Sequence, residues 1–451
     1  MDILKLRNLI KKALNTHSKT NIYSFISVIT YAVLEAVVIL ILARSYTPDL
    51  FGEWILFYTG FFLLDRMSFG FFVVPLIRFL SGTQNDKKKK ELISSSYISA
   101  IILSFLFLVV LYLIYTVGND FNLKYGFVLF LIWNPLISFI RIPFNISLGL
   151  LQVEGRFQKI IFLRIIGMGL FVVAIAFNLF FLNLSIKQVV IIFVISNIIS
   201  SLFSIYKGWS GFTCIPNLNY YTIKKIMNFG RFSMGTSLGS SLLKDADLFL
   251  VGFFMTSKDL AIYSIPLKLI DILNIPLAAI VAIIFPKISK ISQEKENDKL
   301  KHIFNKCTGL VTMSFIPLLI ILFIFTSQLI WILGGSDYIQ TSTTITIFRV
   351  FLLYGFFLTT DRFIGVFLDS MNKPNKNFTK VIVMVLTNII GDLIAIYFYK
   401  SLIGVAVVTV INIIIGVYFG FLFLKEELDI SVNSIIFESI NFIKSVLKIG
   451  I

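Results

Sequence analysis

Twelve stretches of this chain are each long and apolar enough to cross a bilayer as a helix, and no other feature constrains the fold as tightly. Spanning the hydrocarbon core takes roughly 18–25 mostly apolar residues, and a helix satisfies its own backbone polar groups there. The stretches are Ile22–Leu42, Trp54–Leu76, Tyr97–Tyr115, Phe127–Leu148, Ile165–Leu182, Val189–Tyr206, Phe232–Phe254, Leu260–Phe285, Gly309–Phe325, Thr343–Phe367, Val381–Phe398 and Leu402–Leu424. Composition agrees: 57% of residues are hydrophobic and only 14% charged, where soluble domains carry about a quarter. The expected fold class is an all-α integral membrane protein.

Basic residues orient the spans, because short cytoplasmic loops collect Lys and Arg. Of 40 Lys and Arg, six lie inside spans (Arg66, Arg141, Lys244, Lys268, Arg349 and Arg362). Arg44, Lys124, Lys187, Lys258 and Lys400 fall in one set of connections, and all the rest fall in the other set and the tails. Both termini are therefore expected in the cytoplasm. The formal charge of +16 reflects this loop bias and not a nucleic-acid partner. The opening MDILKLRNLIKKALN is basic and amphipathic and lacks the apolar run of a removable signal, so it reads as a helix on the membrane surface. The closing SVNSIIFESINFIKSVLKIGI, broken by Glu438, Lys444 and Lys448, reads the same way. Cys214 and Cys307 are too few for a disulfide framework.

The longest polar break, KGWSGFTCIPNLNYYTIKKIMNFGR, splits the spans six and six. The expected organisation is a six-helix lobe over 1–206, a cytoplasmic linker over 207–230, a second six-helix lobe over 231–424 and an amphipathic tail over 425–451. The halves echo each other: TPDLFGEW at 47–54 matches TSKDLAIY at 256–263, and QVEGRFQK at 152–159 matches DSMNKPNK at 369–376. Such parallel repeats, with a substrate site between them, are a recurrent transporter design.

An ionisable residue inside a span is costly unless it faces protein or water, so each is a functional candidate. Lys244 with Asp247, and Lys268 with Asp271, stand at i and i+3 on one helical face and read as local structural pairs. Asp245 points about 100° away from Lys244 and needs another partner. Arg66, Arg141, Arg349 and Arg362 have no acid on their own face, and a guanidinium fork suits phosphate oxygens. These four, with Lys244 and Lys268, are the candidates for binding an anionic substrate; the competing reading of each is a salt bridge to another helix. A desolvated carboxylate can take up a proton near neutral pH, which makes Glu35, Asp65, Asp245 and Asp392 candidates for coupling to a proton or sodium gradient. GRFSMGTSLGSS at 230–241 is read as close helix packing and not as a phosphate cradle. His17 and His302 form no metal constellation and no P-loop occurs, so neither metal nor cofactor is expected and the chain does not read as an enzyme.

Four stretches carry a resemblance: ILARSYTPDLFGEWILF, LLQVEGRFQK, the long FGRFSMGTSLGSSLLKDADLFLVGFFMTSKDLAIYSIPLKL and LDSMNKPNKN. In order and spacing they resemble bacterial oligosaccharide-lipid flippases of the O-antigen and capsule type, in the superfamily of multidrug and toxic-compound extruders. The resemblance implies twelve transmembrane helices in two six-helix lobes with a MATE-like fold in the bacterial inner membrane. It implies alternating access that carries an undecaprenyl-diphosphate-linked oligosaccharide from the cytoplasmic to the outer leaflet for O-antigen, capsule or exopolysaccharide synthesis. The polysaccharide polymerase and chain-length regulator would be partners. A drug/cation antiporter of the same superfamily, which the seven acids inside spans keep open, and a membrane-embedded glycan polymerase or transferase, which short outer loops disfavour, are the alternatives.

Overall fold

The computed structural model of the chain describes residues 18–118, 123–180, 184–294, 296–340, 342–428 and 430–431. The expected surface helix at the N-terminus and most of the expected C-terminal one lie outside these residues. Everything regular among the described residues is helical. In chain order α1 is Ser18–Ser45, α2 is Pro48–Ser81 with a π-turn at Phe69–Val73, and α3 is Asp86–Gly118. Next, α4 comprises Tyr125–Ile140 and Ile142–Val153, bent by 48°, and α5 comprises Phe157–Arg164 and Leu170–Phe180 joined by a π-turn at Ile165–Gly169. Then follow α6 (Ile186–Tyr206), α7 (Tyr220–Phe254), α8 (Ser257–Asp271), α9 (Asn274–Gln293) and α10 (Asn297–Ile324). Short α11 (Thr326–Gly334) and α12 (Ser336–Ile339) lead to α13 (Ser342–Ser370), α14 (Pro374–Tyr397) and α15 (Leu402–Leu428).

Among the described residues, ten helices are long and apolar enough to cross a membrane, or eleven with bent α4 counted as one span. Each of the twelve expected stretches overlaps a helix. The one that fails on hydropathy lies in α7, where Lys244, Asp245 and Asp247 interrupt the apolar run. That helix starts at Tyr220, inside the stretch read as a linker, so the break before the seventh stretch is shorter than the sequence implied. The bend in α4 falls at Arg141, just ahead of Pro143, whose ring cannot donate a backbone bond.

Contacts divide the chain into two compact units, His17–Ala261 and a second that begins at Ile262. The first is built on aromatic packing: Trp54 and Phe61 of α2 meet Phe171 of α5 and Phe193 of α6 at ring separations of 5.0–5.9 Å. Each such pair adds about 0.5–1.5 kcal/mol beyond the area it buries. α7 packs along α2 where small residues let the backbones close up: a Cβ on Gly230 would stand 2.0 Å from the Phe71 carbonyl, and one on Gly70 2.4 Å from Ser237 Oγ. The packing reading of 230–241 holds for Gly230, Ser233 and Ser237; Gly235 and Gly239 face open space. At the other end of α7, Lys124 donates to the Gly252 and Met255 carbonyls, while Glu53 accepts from Gly126 N–H and Ser257 Oγ. Burial pulls the Lys124 ammonium below the usual lysine range, an effect opposed by Glu53 and Asp259.

The echoing motifs have the same geometry. Helices α2 and α8 open on the first pair, and Trp54 and Tyr263, at matched positions, are both fully buried. In the second pair the turns superpose bond for bond. Gly155 and Asn372 have φ of 69° and 59°. Arg156 N–H donates to Leu151 O at 2.9 Å, and Lys373 N–H to Leu368 O at 2.9 Å. The next helices start at Phe157 and Pro374. A left-handed residue costs a non-glycine about 1–2 kcal/mol, least for Asn. Gly155→Val should therefore lower thermal stability in detergent by about 1–2 kcal/mol, while Asn372→Gly should leave it equal or higher; a neutral Gly155→Val would contradict this backbone assignment.

Candidate functional site

Asp65 and Arg66 stand side by side on α2, about 100° apart around its axis, and so serve different neighbours. Asp65 faces the bend of α4. There Arg141 Nε and Nη2 donate to its two oxygens at 2.8 and 3.1 Å, and Asn145 Nδ2 adds a bond of 3.0 Å. Arg141 Nη1 reaches Asn197 of α6 at 2.5 Å, and the guanidinium lies over Phe61 and Phe144. All three of its nitrogens are engaged within the protein, and only 12% of the side chain is exposed. A crevice of about 10 Å³ opens beside the pair, lined by Phe61, Ser68, Asn134 and Ser138 among others. That is below the ~300–1,000 Å³ of a drug-sized ligand pocket, so a glycan does not fit there.

Arg66 faces α7, where its Nη1 bonds Asp245 Oδ2 at 2.5 Å. This supplies the partner that Asp245 required. Asp245 is nearly covered, but 35% of the Arg66 side chain is exposed, and among the described residues its other nitrogens make no hydrogen bond. Glu35 and Tyr31 of α1 lie within electrostatic reach of Arg66. The first unit thus gathers three acids, Glu35, Asp65 and Asp245, around two arginines. Lys244, exposed, and Asp247, buried, flank them on α7.

The second unit holds the remaining candidates. Arg349 is exposed and stacks on Phe323 at 4.9 Å; Arg362 is exposed, and neither is ion-paired among the described residues. Lys268 and Asp271 on α8 are half-buried. Asp392 is fully buried and accepts from Asn388 at 2.9 Å, which is bonded to Asn412, itself bonded to Thr387.

Two cations held within the bundle, one buried and one half-buried, escape the sequence reading because they sit one residue outside the expected spans. Lys380, 3% exposed, bonds Asp361 at 2.7 Å. Arg164 donates to the Ser27 carbonyl at 2.7 Å and covers Tyr31. A signal existed for the first: Lys380, Met384, Asn388 and Asp392 recur every four residues, and all four are buried on one face of α14.

Removing one member of a buried ion pair costs about 3–5 kcal/mol because the other charge is stranded. Asp65→Ala should therefore destabilise the protein strongly in detergent unfolding, and much less in an Arg141→Met background. Equal losses in the two backgrounds would show that the pair is not coupled.

Comparison with known proteins places this network in context. The family described as "Polysaccharide biosynthesis protein" matches residues 74–343, more than half of the chain. The low-salt glycan biosynthesis flippase Agl15, so named in Haloferax volcanii, is 21% identical over 202 residues, 44% of this chain and 42% of its own length. A Shigella flexneri protein named as an O-antigen transporter is 32% identical over 138 residues, 31% of this chain and 32% of its own. The matched stretches thus span less than half of either relative. Among solved structures, an inward-facing multidrug resistance MATE family transporter of the MOP superfamily superposes with a TM-score of 0.75 at 16% identity, covering 88% of this chain and 94% of that one. The lipid II flippase MurJ gives 0.66 at 19% identity, covering 94% and 92%. Ordered helices of MATE-like fold and the profile match agree: this chain is a multi-pass membrane protein that belongs to the polysaccharide biosynthesis protein family.

Proposed function

We propose that the protein is a flippase that moves an undecaprenyl-diphosphate-linked oligosaccharide from the cytoplasmic to the outer leaflet by alternating access. The observation that carries this reading is Arg66, a part-exposed guanidinium inside an apolar helical bundle with donors to spare beyond its bond to Asp245. A guanidinium cannot lose its charge, and its fork matches phosphate oxygens. In this reading Arg66, Arg349 and Arg362 grip the diphosphate at successive stages, and the polyprenyl tail stays in lipid. Arg141 holds Asp65 and the α4 bend in place. Lys244 and Lys268 add positive charge, while Asp247 and Asp271 act structurally.

Glu35 of α1, within electrostatic reach of Arg66, is the member of this network that can take up a proton as the cargo arrives or leaves. Asp392 is the corresponding buried carboxylate of the second unit. The chain crosses the bacterial inner membrane twelve times with both termini in the cytoplasm. It does so as lobes of residues 1–206 and 231–424, and α7 is the crossing whose polar side chains lower its hydropathy.

In vesicles carrying a labelled lipid-diphosphate sugar, Arg66→Ala, Arg349→Ala and Arg362→Ala should each slow transfer about tenfold or more, the worth of a charged hydrogen bond. Arg66→Lys should retain part of the rate. Wild-type transfer by all three alanine variants would remove the arginines from the mechanism. In the same assay Glu35→Gln should flatten the dependence of rate on an imposed pH gradient; an unchanged dependence would exclude Glu35 as the coupling group.

A further inference from the structure

Arg66 and Arg141 of the first unit answer to carboxylates, but two cations at one end of the unit do not. Arg78 lies in the last turn of α2, and Lys225 near the start of α7. The two are held crosswise. The Arg78 guanidinium lies 4.4 Å over the ring of Phe229 on α7, and the Lys225 ammonium lies 4.3 Å over the ring of Phe79 on α2. The rings pack edge to face at 5.7 Å. Each helix therefore lends a cation to the other's aromatic face. Both cations are exposed while both rings are half-buried, and among the described residues no acid pairs with either.

The acids at this end are otherwise engaged: Asp86 binds Lys89 at 3.1 Å, and Glu91 accepts from Asn219 at 3.0 Å. Lys87, Lys88, Lys90 and Lys224 are exposed at the same helix ends. A guanidinium stacked on a ring keeps its in-plane N–H edges free, and these are the atoms that bond phosphate oxygens. Holding both cations in place beforehand also lowers the entropy lost when an anion binds.

We infer that Arg78 and Lys225 form a binding site for the diphosphate of a polyprenyl-linked lipid, which loads at the basic, cytoplasmic end of α2 and α7 before it reaches Arg66. The site rests on the function proposed above, since that reading supplies the cargo. Its position suits the chemistry: at the last turn of one helix and the first turns of another, a headgroup can bind while the lipid tail remains among the spans. Arg78 and Arg66 share α2, twelve residues or about 18 Å apart, so one helix carries both the loading point and the interior guanidinium.

The test measures binding to the full-length protein in detergent, with farnesyl diphosphate as probe, short-chain phosphatidylglycerol as a singly charged lipid phosphate, and farnesol as the neutral control. Arg78→Gln and Lys225→Gln should each weaken farnesyl diphosphate binding about fivefold, the worth of one basic residue near a charged lipid surface. The double variant should lose about 25-fold on the same basis, with a smaller loss for phosphatidylglycerol. Arg78→Lys combined with Lys225→Arg should keep most of the affinity, and Phe79→Leu with Phe229→Leu should give an intermediate loss with charge unchanged. Wild-type binding by the double glutamine variant, or equal losses for the two lipids, overturns the site; equal losses would reduce the cluster to an interfacial anchor. A wild-type protein that binds farnesyl diphosphate through these residues yet moves no lipid-linked sugar would overturn the proposed function and leave the site standing.

Discussion

An arginine taken into an apolar bundle brings a charge that it cannot shed, and the first unit is organised around meeting that demand. Adjacent residues on a helix point in different directions, so Asp65 and Arg66 commit α2 to two partners at once: the bend of α4 and the middle of α7. The aromatic core fills the space around this crossing, and Gly70 and Gly230 allow the α2 and α7 backbones to approach closely enough for Arg66 and Asp245 to touch. Asp245, one of the polar residues that make α7 a poor candidate for crossing hydrocarbon by hydropathy, is the one that joins it to α2.

Arg141 and Arg66 show how burial separates similar residues into different tasks. One is bonded through every nitrogen and braces a bend; the other is bonded through one nitrogen and keeps a third of its side chain open. Both are arginines without an acid on their own helical face, so spacing could not tell them apart. What separates them is the helix each one meets, and that depends on tertiary structure.

Much of the fold was legible in the sequence because hydrocarbon imposes a strong constraint: each expected span overlaps a helix, and the need of Asp245 for a distant partner followed from its angle to Lys244. Span ends were less legible. Long cationic side chains can lie at the boundary with their stems in apolar surroundings, and for that reason hydropathy assigns Lys380 and Arg164 to loops although both are paired or covered inside the bundle. The start of α7 was hidden for a related reason, since the polar residues of 220–230 continue a helix past the apolar run that defines it. Arg78 and Lys225 could not be distinguished from ordinary loop cations, because the rings that hold them come from opposite halves of the sequence.

The matched turns at Gly155 and Asn372 show what the repeated halves have in common. The backbone path is reproduced although the residue at its tightest point differs, and the helices that follow are aligned to the residue. A shared backbone path leaves side chains free to differ: the first unit sets Arg66 and Arg141 against carboxylates, while the second displays Arg349 and Arg362 without an ion pair among the described residues. Likeness of backbone need not bring likeness of charge, and here the two turns stay paired while the ionisable residues around them part ways.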